Sequence, residues 1–315
     1  MSAAAEVATP RPSMTFGNIS FGVQGQSNAN FGPDKKLTRV SGTDVTVDLN
    51  EEPRGDFNAY ASVFVLNMTP VPDTETATVE SSALVFGTKY RREKNLESIA
   101  TQVNTGLRFA PLGAQPTFTV KPSVLAGLTS SGRNRNTRTL GTRLEARLRV
   151  GADTYTSRVG YRKAASFSPT SISSVSETFS LSLAASLKLD TASRLSPSFR
   201  FRRGHARDAS GDYDAYAPGV FYSLSYAPLW GGSEQKWRAG VGLDYERTLY
   251  HAPDAGVDAN VTRRDHSFRL GLSNEIPLDE AWSFNVEAEA SRALSNQPNF
   301  KTRNYGLKIG FSRLF

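Results

Sequence analysis

The sequence predicts an all-β protein, a transmembrane antiparallel up-and-down β-barrel of about fourteen strands. Three observations carry that expectation. Apolar and polar residues alternate over long stretches, short and long connections alternate between those stretches, and aromatic residues gather beside the short connections. Composition agrees. Hydrophobic residues are 38% of the 315, below the roughly 45–50% of an average soluble domain. Charged residues are 21%, too balanced for charge-driven disorder. No run approaches the roughly 18 apolar residues of a membrane helix.

The strands follow in order. The first centres near residue 20, the next two near 61 and 85, where the stretches around Tyr60 and Leu84 are apolar on both parities and leave the facing open. Near 104, Val103, Leu107 and Phe109 oppose Gln102, Asn104 and Arg108. Near 122, Phe118, Val120, Val124 and Leu128 oppose Thr119, Lys121, Ser123 and Gly127. Near 144, Leu140, Leu144, Ala146, Leu148 and Val150 oppose Arg143, Glu145, Arg147 and Arg149. A strand near 159 precedes one near 182, in which Phe179, Leu181, Leu183, Ala185 and Leu187 oppose Ser180, Ser182, Ala184, Ser186 and Lys188. Strands near 199 and 221 lead to one near 242, where Trp237, Ala239, Val241, Leu243 and Tyr245 oppose Arg238, Gly240, Gly242, Asp244 and Glu246. Near 270, Phe268, Leu270 and Leu272 oppose Arg269, Gly271 and Ser273. Near 286, Trp282, Phe284, Val286, Ala288 and Ala290 oppose Ser283, Asn285, Glu287, Glu289 and Ser291. The last strand, near 309, sets Tyr305, Leu307, Ile309 and Phe311 against Gly306, Lys308, Gly310 and Ser312.

A soluble sandwich also alternates, but its strands are usually about 5–6 residues long. These run about 10–14, the length of a tilted bilayer-crossing strand. A wholly charged face of that length needs water, which a barrel lumen supplies. Thr43–Leu49 alternates weakly and is placed in the first long loop; twelve and sixteen strands are the alternative counts. The short connections are 111–115, 151–153, 189–192 and 277–280, and the long ones are 130–138, 203–212, 251–264 and 293–302. Short turns belong to the periplasmic side, which also places both termini there. Trp230, Trp237, Trp282 and Phe315 sit beside short turns and are expected to form the periplasmic aromatic girdle. Residues 1–13 are expected to be a flexible lead-in and 14–315 the barrel, with the Met1–Ala5 opening reading as a start placed on a mature or excised segment.

Several motifs resemble a known family. They are Gln26-Ser27-Asn28-Ala29-Asn30-Phe31-Gly32-Pro33, Val40-Ser41-Gly42-Thr43-Asp44-Val45 and Arg54-Gly55-Asp56-Phe57-Asn58-Ala59-Tyr60. Near the end stand Arg264-Asp265, Pro277-Leu278, Trp282, Ser295-Asn296 and Asn304-Tyr305. Together they resemble the C-terminal barrels of tetratricopeptide-linked outer-membrane export proteins, nearest the surface lipoprotein assembly modifier (Slam) family. The terminal Phe315, after Tyr305 and Phe311, resembles the C-terminal assembly signal of bacterial outer-membrane proteins. The resemblance implies a bacterial outer-membrane location, contact with outer-membrane lipid and with the barrel assembly machinery, and export of a protein or polymer. It also implies a periplasmic helical-repeat domain or export partner, which either has been removed here or is lacking in a stand-alone relative.

Chemistry on the chain is sparse. Cysteine is absent, which excludes thiol catalysis and disulfides. His205, His251 and His266 match no zinc spacing, and Asp254, Asp258 and Asp265 match no calcium loop. Ser27 has no histidine before it, and His266 and Ser267 point to opposite faces of a strand. A lipid-modifying barrel enzyme is therefore the least favoured reading, and neither catalysis nor a cofactor or metal is expected. The polar parity is the informative one. Arg108, Lys121, Arg143, Arg147, Arg149, Arg158, Arg162, Lys188, Arg200, Arg202, Arg238, Arg269 and Lys308 fall on it, against Glu145, Asp244, Glu246, Glu287 and Glu289. These are the expected pore-lining residues. With a net charge of +7, they suggest a salt-bridged wall that keeps the lumen rigid, a cation-lined path for anionic solutes or an acidic polymer, or both, with an anion-preferring diffusion porin as the alternative to the export that the resemblance implies. Nucleic acid is not expected, since no aromatic platform interleaves the bases. The 33–55 segment is expected to fold inward, its Asp44, Asp48, Glu51 and Glu52 pairing with Arg143, Arg147 and Arg149.

Overall fold

Successive side chains of an extended chain leave opposite faces, so each alternating stretch offers one apolar and one polar surface. The computed structural model describes residues 12–35, 37–46, 52–72, 74–113, 117–132, 135–168, 171–228 and 235–315. It closes fourteen antiparallel strands into one barrel, neither twelve nor sixteen. They are β1 (Met14–Gln26), β4 (Asp56–Pro70), β5 (Ala77–Tyr90), β6 (Ser98–Phe109), β7 (Phe118–Ser131), β8 (Arg135–Val150) and β9 (Asp153–Ser168). There follow β10 (Ser171–Lys188), β11 (Ser193–Ala206), β12 (Tyr213–Tyr226), β13 (Trp237–Tyr250), β14 (Arg264–Pro277), β15 (Trp282–Ser295) and β16 (Thr302–Leu314). β2 (Leu37–Val40) and β3 (Thr43–Thr46) pair only with each other, as a hairpin in the first loop. The expected lead-in of the chain lies largely outside the described residues, as do Asp48, Glu51 and Trp230.

Neighbours in sequence are neighbours in the wall, and β1 closes the ring by pairing with both β4 and β16. The ends of the barrel differ. Met14, Leu314 and the turns after β4, β6, β8, β10, β12 and β14 share one end. Aspartates shape two of these turns. Asp279 accepts the amides of Ala281 and Trp282, both at 2.8 Å. Asp190 accepts those of Ala192 and Ser193 at 2.6 and 2.7 Å. Such Asx turns reverse the chain in few residues. The donated hydrogen bonds hold both carboxyls below the usual carboxylate range: for Asp279 the two amides, for Asp190 the Ser193 hydroxyl first.

At the loop end the structure departs from the expected rhythm. β7 and β8 run to Ser131 and from Arg135, and β11 continues to Ala206, so most of 130–138 and part of 203–212 are strand. Beyond the apolar band the residues turn polar on both faces, and the alternation stops while the backbone ladder continues. The Thr137 and Ser166 hydroxyls still meet at 3.0 Å across β8 and β9. Hydropathy alone reads such an extension as loop.

Candidate functional site in the barrel interior

The interior is recognised from side chains that pass over a whole strand to meet the next one. Lys121 on β7 reaches Glu80 on β5 at 2.8 Å. Arg108 on β6 reaches Glu145 on β8 at 2.9 Å. Lys308 on β16 lies 4.7 Å above the Tyr60 ring on β4. Side chains of that parity converge on the concave face, where such chords are short. The opposite parity carries Phe21, Val23, Val63, Val85, Leu144, Leu148, Leu270 and Leu307, all exposed and apolar. That face meets lipid.

Register then places each polar-parity residue. Arg143, Glu145, Arg147 and Arg149 project inward from β8, and Arg158 and Arg162 from β9. Lys188 is on β10 opposite Arg194, and Arg200 and Arg202 are on β11. Arg238, Asp244 and Glu246 are on β13, Arg269 on β14, Glu287 and Glu289 on β15, and Lys308 on β16. Arg108 and Lys121 complete the same face on β6 and β7.

Most of these groups are paired. Glu145, almost fully buried, is the hub of one network. Arg158 donates to it at 2.7 Å, Arg108 at 2.9 Å and Arg147 at 3.2 Å. Arg108 continues to Glu80, and Lys121 joins there. Elsewhere Arg202 donates to Glu246 at 2.6 Å with Arg200 at 3.6 Å. Arg238 pairs with Glu275, Arg269 with Glu289 and Lys308 with Glu287 at 3.1, 3.5 and 3.2 Å. Among the described residues Arg143, Arg149 and Arg162 have no acidic partner, whereas the Lys188 charge acts on Asp190 two residues on. Uncompensated positive charge therefore concentrates on β8 and β9.

Sequence reasoning missed several inward residues. Glu80, Glu275 and Asp265 lie on the inner parity. So do Tyr60, Phe64, Leu84 and Phe86, on strands too apolar for parity to choose a face. Only the neighbours' register resolves them. Tyr60 leaves one sequence signal: a Cβ on Gly22 or Gly310 would meet its hydroxyl together with the backbone carbonyl of Ile309 or Phe21, and both positions are glycine.

Of the loop's four acids, Asp44 is not paired with the inner arginines, and Asp48 and Glu51 lie outside the described residues. Asp44 is held by Arg39 within the β2–β3 hairpin, at 2.7 Å. That guanidinium's hydrogen bond keeps the Asp44 carboxyl below its ordinary range. Arg39 also meets Asp258 at 3.1 Å, its amide donates to Asn299, and the amides of Ser41 and Gly42 donate to Gly256 and Val257. The hairpin is thus tied to the loops after β13 and β15. Two-residue turns of this kind need positive φ, and Ser41 and Gly42 adopt +47° and +84°. Upstream, Asn28 is buried, giving its side-chain amide to the carbonyls of Gly32 and Arg303 and accepting from the Gly32 amide. This clasp sets Phe31 at φ +54°. Phe31 lines a cavity of about 460 Å³ together with inner-face residues Arg200, Glu246, Arg269 and Ser291. Phe31, rather than Asp44, lines the interior here.

The other expectations fall as follows. Phe311 is outward, between Phe21 and Phe284 at 6.0 and 5.3 Å, and Tyr305 is outward and exposed. Phe315 exchanges two backbone hydrogen bonds with Gly17, at 2.7 and 3.1 Å, and its ring covers that glycine. Trp282 packs edge-on to Phe21. Trp237 is 3% exposed against the Tyr226 ring, so it is buried instead of facing lipid headgroups. Asp258 and Asp265 are buried ion-pair partners of Arg39 and Arg263.

No family model matches the chain, and no curated protein matches it closely enough to count as a relative. Solved structures do share its architecture. OmpT, an outer membrane protein of Vibrio cholerae, is 9% identical over 96% of this chain and 99% of its own, with a TM-score of 0.50. An anion-selective porin from Comamonas acidovorans is 9% identical over 96% of this chain and 99% of its own, with a TM-score of 0.46. A bacterial polysaccharide outer membrane secretin is 12% identical over 94% of this chain and 97% of its own, with a TM-score of 0.43. At such identities the likeness is one of fold: the chain is a closed fourteen-stranded barrel of the bacterial outer-membrane kind.

Proposed function

We propose that this barrel is a non-enzymatic outer-membrane pore whose interior favours anionic cargo. The observation that carries the reading is the set of uncompensated cations, Arg143, Arg149 and Arg162, on two adjacent strands facing a solvent-accessible interior. Rings of like charge select ions of the opposite sign. Fourteen strands tilted near 40° span roughly 30 Å between backbones, too wide for wall side chains alone to fill. The non-enzymatic reading rests on the two serine–histidine regions. The Ser27 hydroxyl accepts from the Tyr305 amide at 2.8 Å and donates to Asn304, so it serves barrel closure. His266 faces outward, bonded to the Tyr245 hydroxyl at 2.7 Å. Neither supplies a nucleophile beside a base.

The Slam-like motifs favour a second reading, export of a protein or anionic polymer with a helical-repeat partner. The first-loop motifs form the clasp and hairpin at the mouth, where an exporter would need a gate. Reversal potentials in planar bilayers under a potassium chloride gradient test the main reading. Chloride preference is expected, and Arg143→Glu with Arg162→Glu should abolish it. Cation preference in the unaltered protein would overturn the proposal. A closed barrel that conducts only after the loop is cut within residues 37–46 would favour the export reading.

A further inference from the structure

The interior wall is not polar all round. On β1, β4 and β5 the inward parity carries Phe16, Leu66, Phe64, Leu84 and Phe86. They are contiguous: Phe16 pairs with Leu66, Phe64 with Leu84, and Phe86 is the next inward residue on β5 after Leu84. Phe16, Phe64 and Leu84 are 48%, 40% and 39% exposed. A phenyl ring left in water gains none of the burial free energy that an apolar side chain can contribute. Contiguous exposed apolar surface of this kind marks a place where something binds. The rest of the wall is differently furnished. Half-way round the strand order from β4 stands β11 with Arg200, flanked by the β8 and β9 side with Arg143 and Arg162. Phe64, Leu84, Arg143 and Arg162 all lie near the middle of their strands. Beyond β11 the acids Glu246, Glu287 and Glu289 are paired with Arg202, Lys308 and Arg269, and Phe221 is a single inward ring on β12. The lumen thus has a contiguous apolar sector, a guanidinium sector and a sector of paired charges.

We infer that the pore selects amphiphilic organic anions, solutes with one carboxylate or similar group on an aromatic or alkyl body, over small hydrophilic anions. This rests on the anion-conducting reading above and narrows it. A bare inorganic anion or a polyhydroxylated polymer uses the arginines alone and gains nothing from Phe64 and Leu84. A cation with the same apolar body finds the guanidinium sector repulsive. Only a molecule with both features satisfies the two sectors together, the apolar body on β4 and β5 and the charge toward β8 and β9. Water released from both apolar surfaces supplies the preference.

The test measures block of chloride current through the purified barrel in planar bilayers. The probes are 4-phenylbutanoate, acetate and 4-phenylbutylammonium. The phenylbutanoate is expected to block at a concentration roughly tenfold below acetate, and the ammonium to block more weakly than either. In Phe64→Ser with Leu84→Ser, each block is expressed against that variant's own chloride current, and the phenylbutanoate advantage should vanish. Both positions are exposed to the lumen, so the barrel should still fold, which heat-modifiable gel migration checks. Absence of any chloride current would overturn the pore reading itself. Chloride current with equal block by acetate and phenylbutanoate, or an advantage that survives the double substitution, would overturn the inference alone. So would an advantage that appears only after residues 1–11 are deleted, because the patch would then be covered by the chain's own lead-in.

Discussion

Glu145 shows how much one residue carries in this wall. It accepts from three guanidinium groups and is 4% exposed. Replacing it by glutamine leaves Arg108, Arg147 and Arg158 facing one another around a neutral amide. Removing one partner of a dry buried pair costs about 3–5 kcal/mol. Arg158 and Arg147 reach lumen water, so the expected loss for Glu145→Gln is smaller, roughly 1–3 kcal/mol. Adding Arg158→Gln should restore part of it. Urea unfolding of the micelle-bound barrel measures both, and equal stability of Glu145→Gln and the unaltered protein would remove Glu145 as the hub. Tyr60 offers a steric counterpart. Its hydroxyl fills the space above Gly22 and Gly310. Gly310→Ala should therefore destabilise the barrel, whereas Gly310→Ala in a Tyr60→Ala background should cost less, the remainder being the overlap with the Phe21 carbonyl. Additive losses in that double-mutant cycle would mean the ring and the glycine are not coupled.

Among the elements, the β2–β3 hairpin shows where sequence patterning succeeds and where it stops. Its weak alternation and its position between strong strands were enough to place Thr43 to Thr46 outside the barrel. Its docking was not legible, because that depends on Asp258 and Asn299, more than two hundred residues away, and hydropathy has no record of such partners. Asp44, one of the acids that suggested a plug, is therefore read better through Arg39, five residues away. A pH dependence follows. Asp44 is held below its ordinary pKa chiefly by the Arg39 hydrogen bond. Its contribution is present above the ordinary carboxylate value and is lost as pH falls through the lowered one. Because the chain has no cysteine, a spin label on Thr46→Cys can report hairpin motion by electron paramagnetic resonance. The label should loosen as acid protonates Asp44. Arg39→Ala should loosen it at neutral pH, and Asp44→Asn should flatten the titration. A label equally immobile in all three would show that the backbone contacts to Gly256 and Val257 suffice.

For the whole molecule, strand number and interior face were legible wherever charge alternated with Leu or Val, as on β8 and β15. They were not legible on β4 and β5, where Phe64 and Leu84 break the rule that the inner face is polar. That exception is also what gives the lumen an apolar sector. Closure is the remaining property of the whole ring, and the seam is its weakest join. β1 pairs with β4 along its entire length, Met14 opposite Met68 to Gln26 opposite Asp56. Against β16 the ladder begins only at Asn18 opposite Leu314. The lower part of the seam is completed by the last residue, through the Gly17–Phe315 backbone pair and the ring laid over Gly17. The upper part is extended by the Ser27 amide donating to the Tyr305 carbonyl at 2.8 Å. Unpaired backbone at the membrane boundary costs free energy that side chains cannot recover. Deleting Phe315 should thus have two separable effects, fewer barrels inserted in cells and a lower unfolding temperature for those that do insert. Phe315→Ala keeps the backbone pair and loses the ring, so its inserted barrels should melt between the deletion and the unaltered protein. If the deletion reduces insertion while the inserted barrels melt unchanged, Phe315 acts only as an assembly signal and the seam is closed by the strands alone.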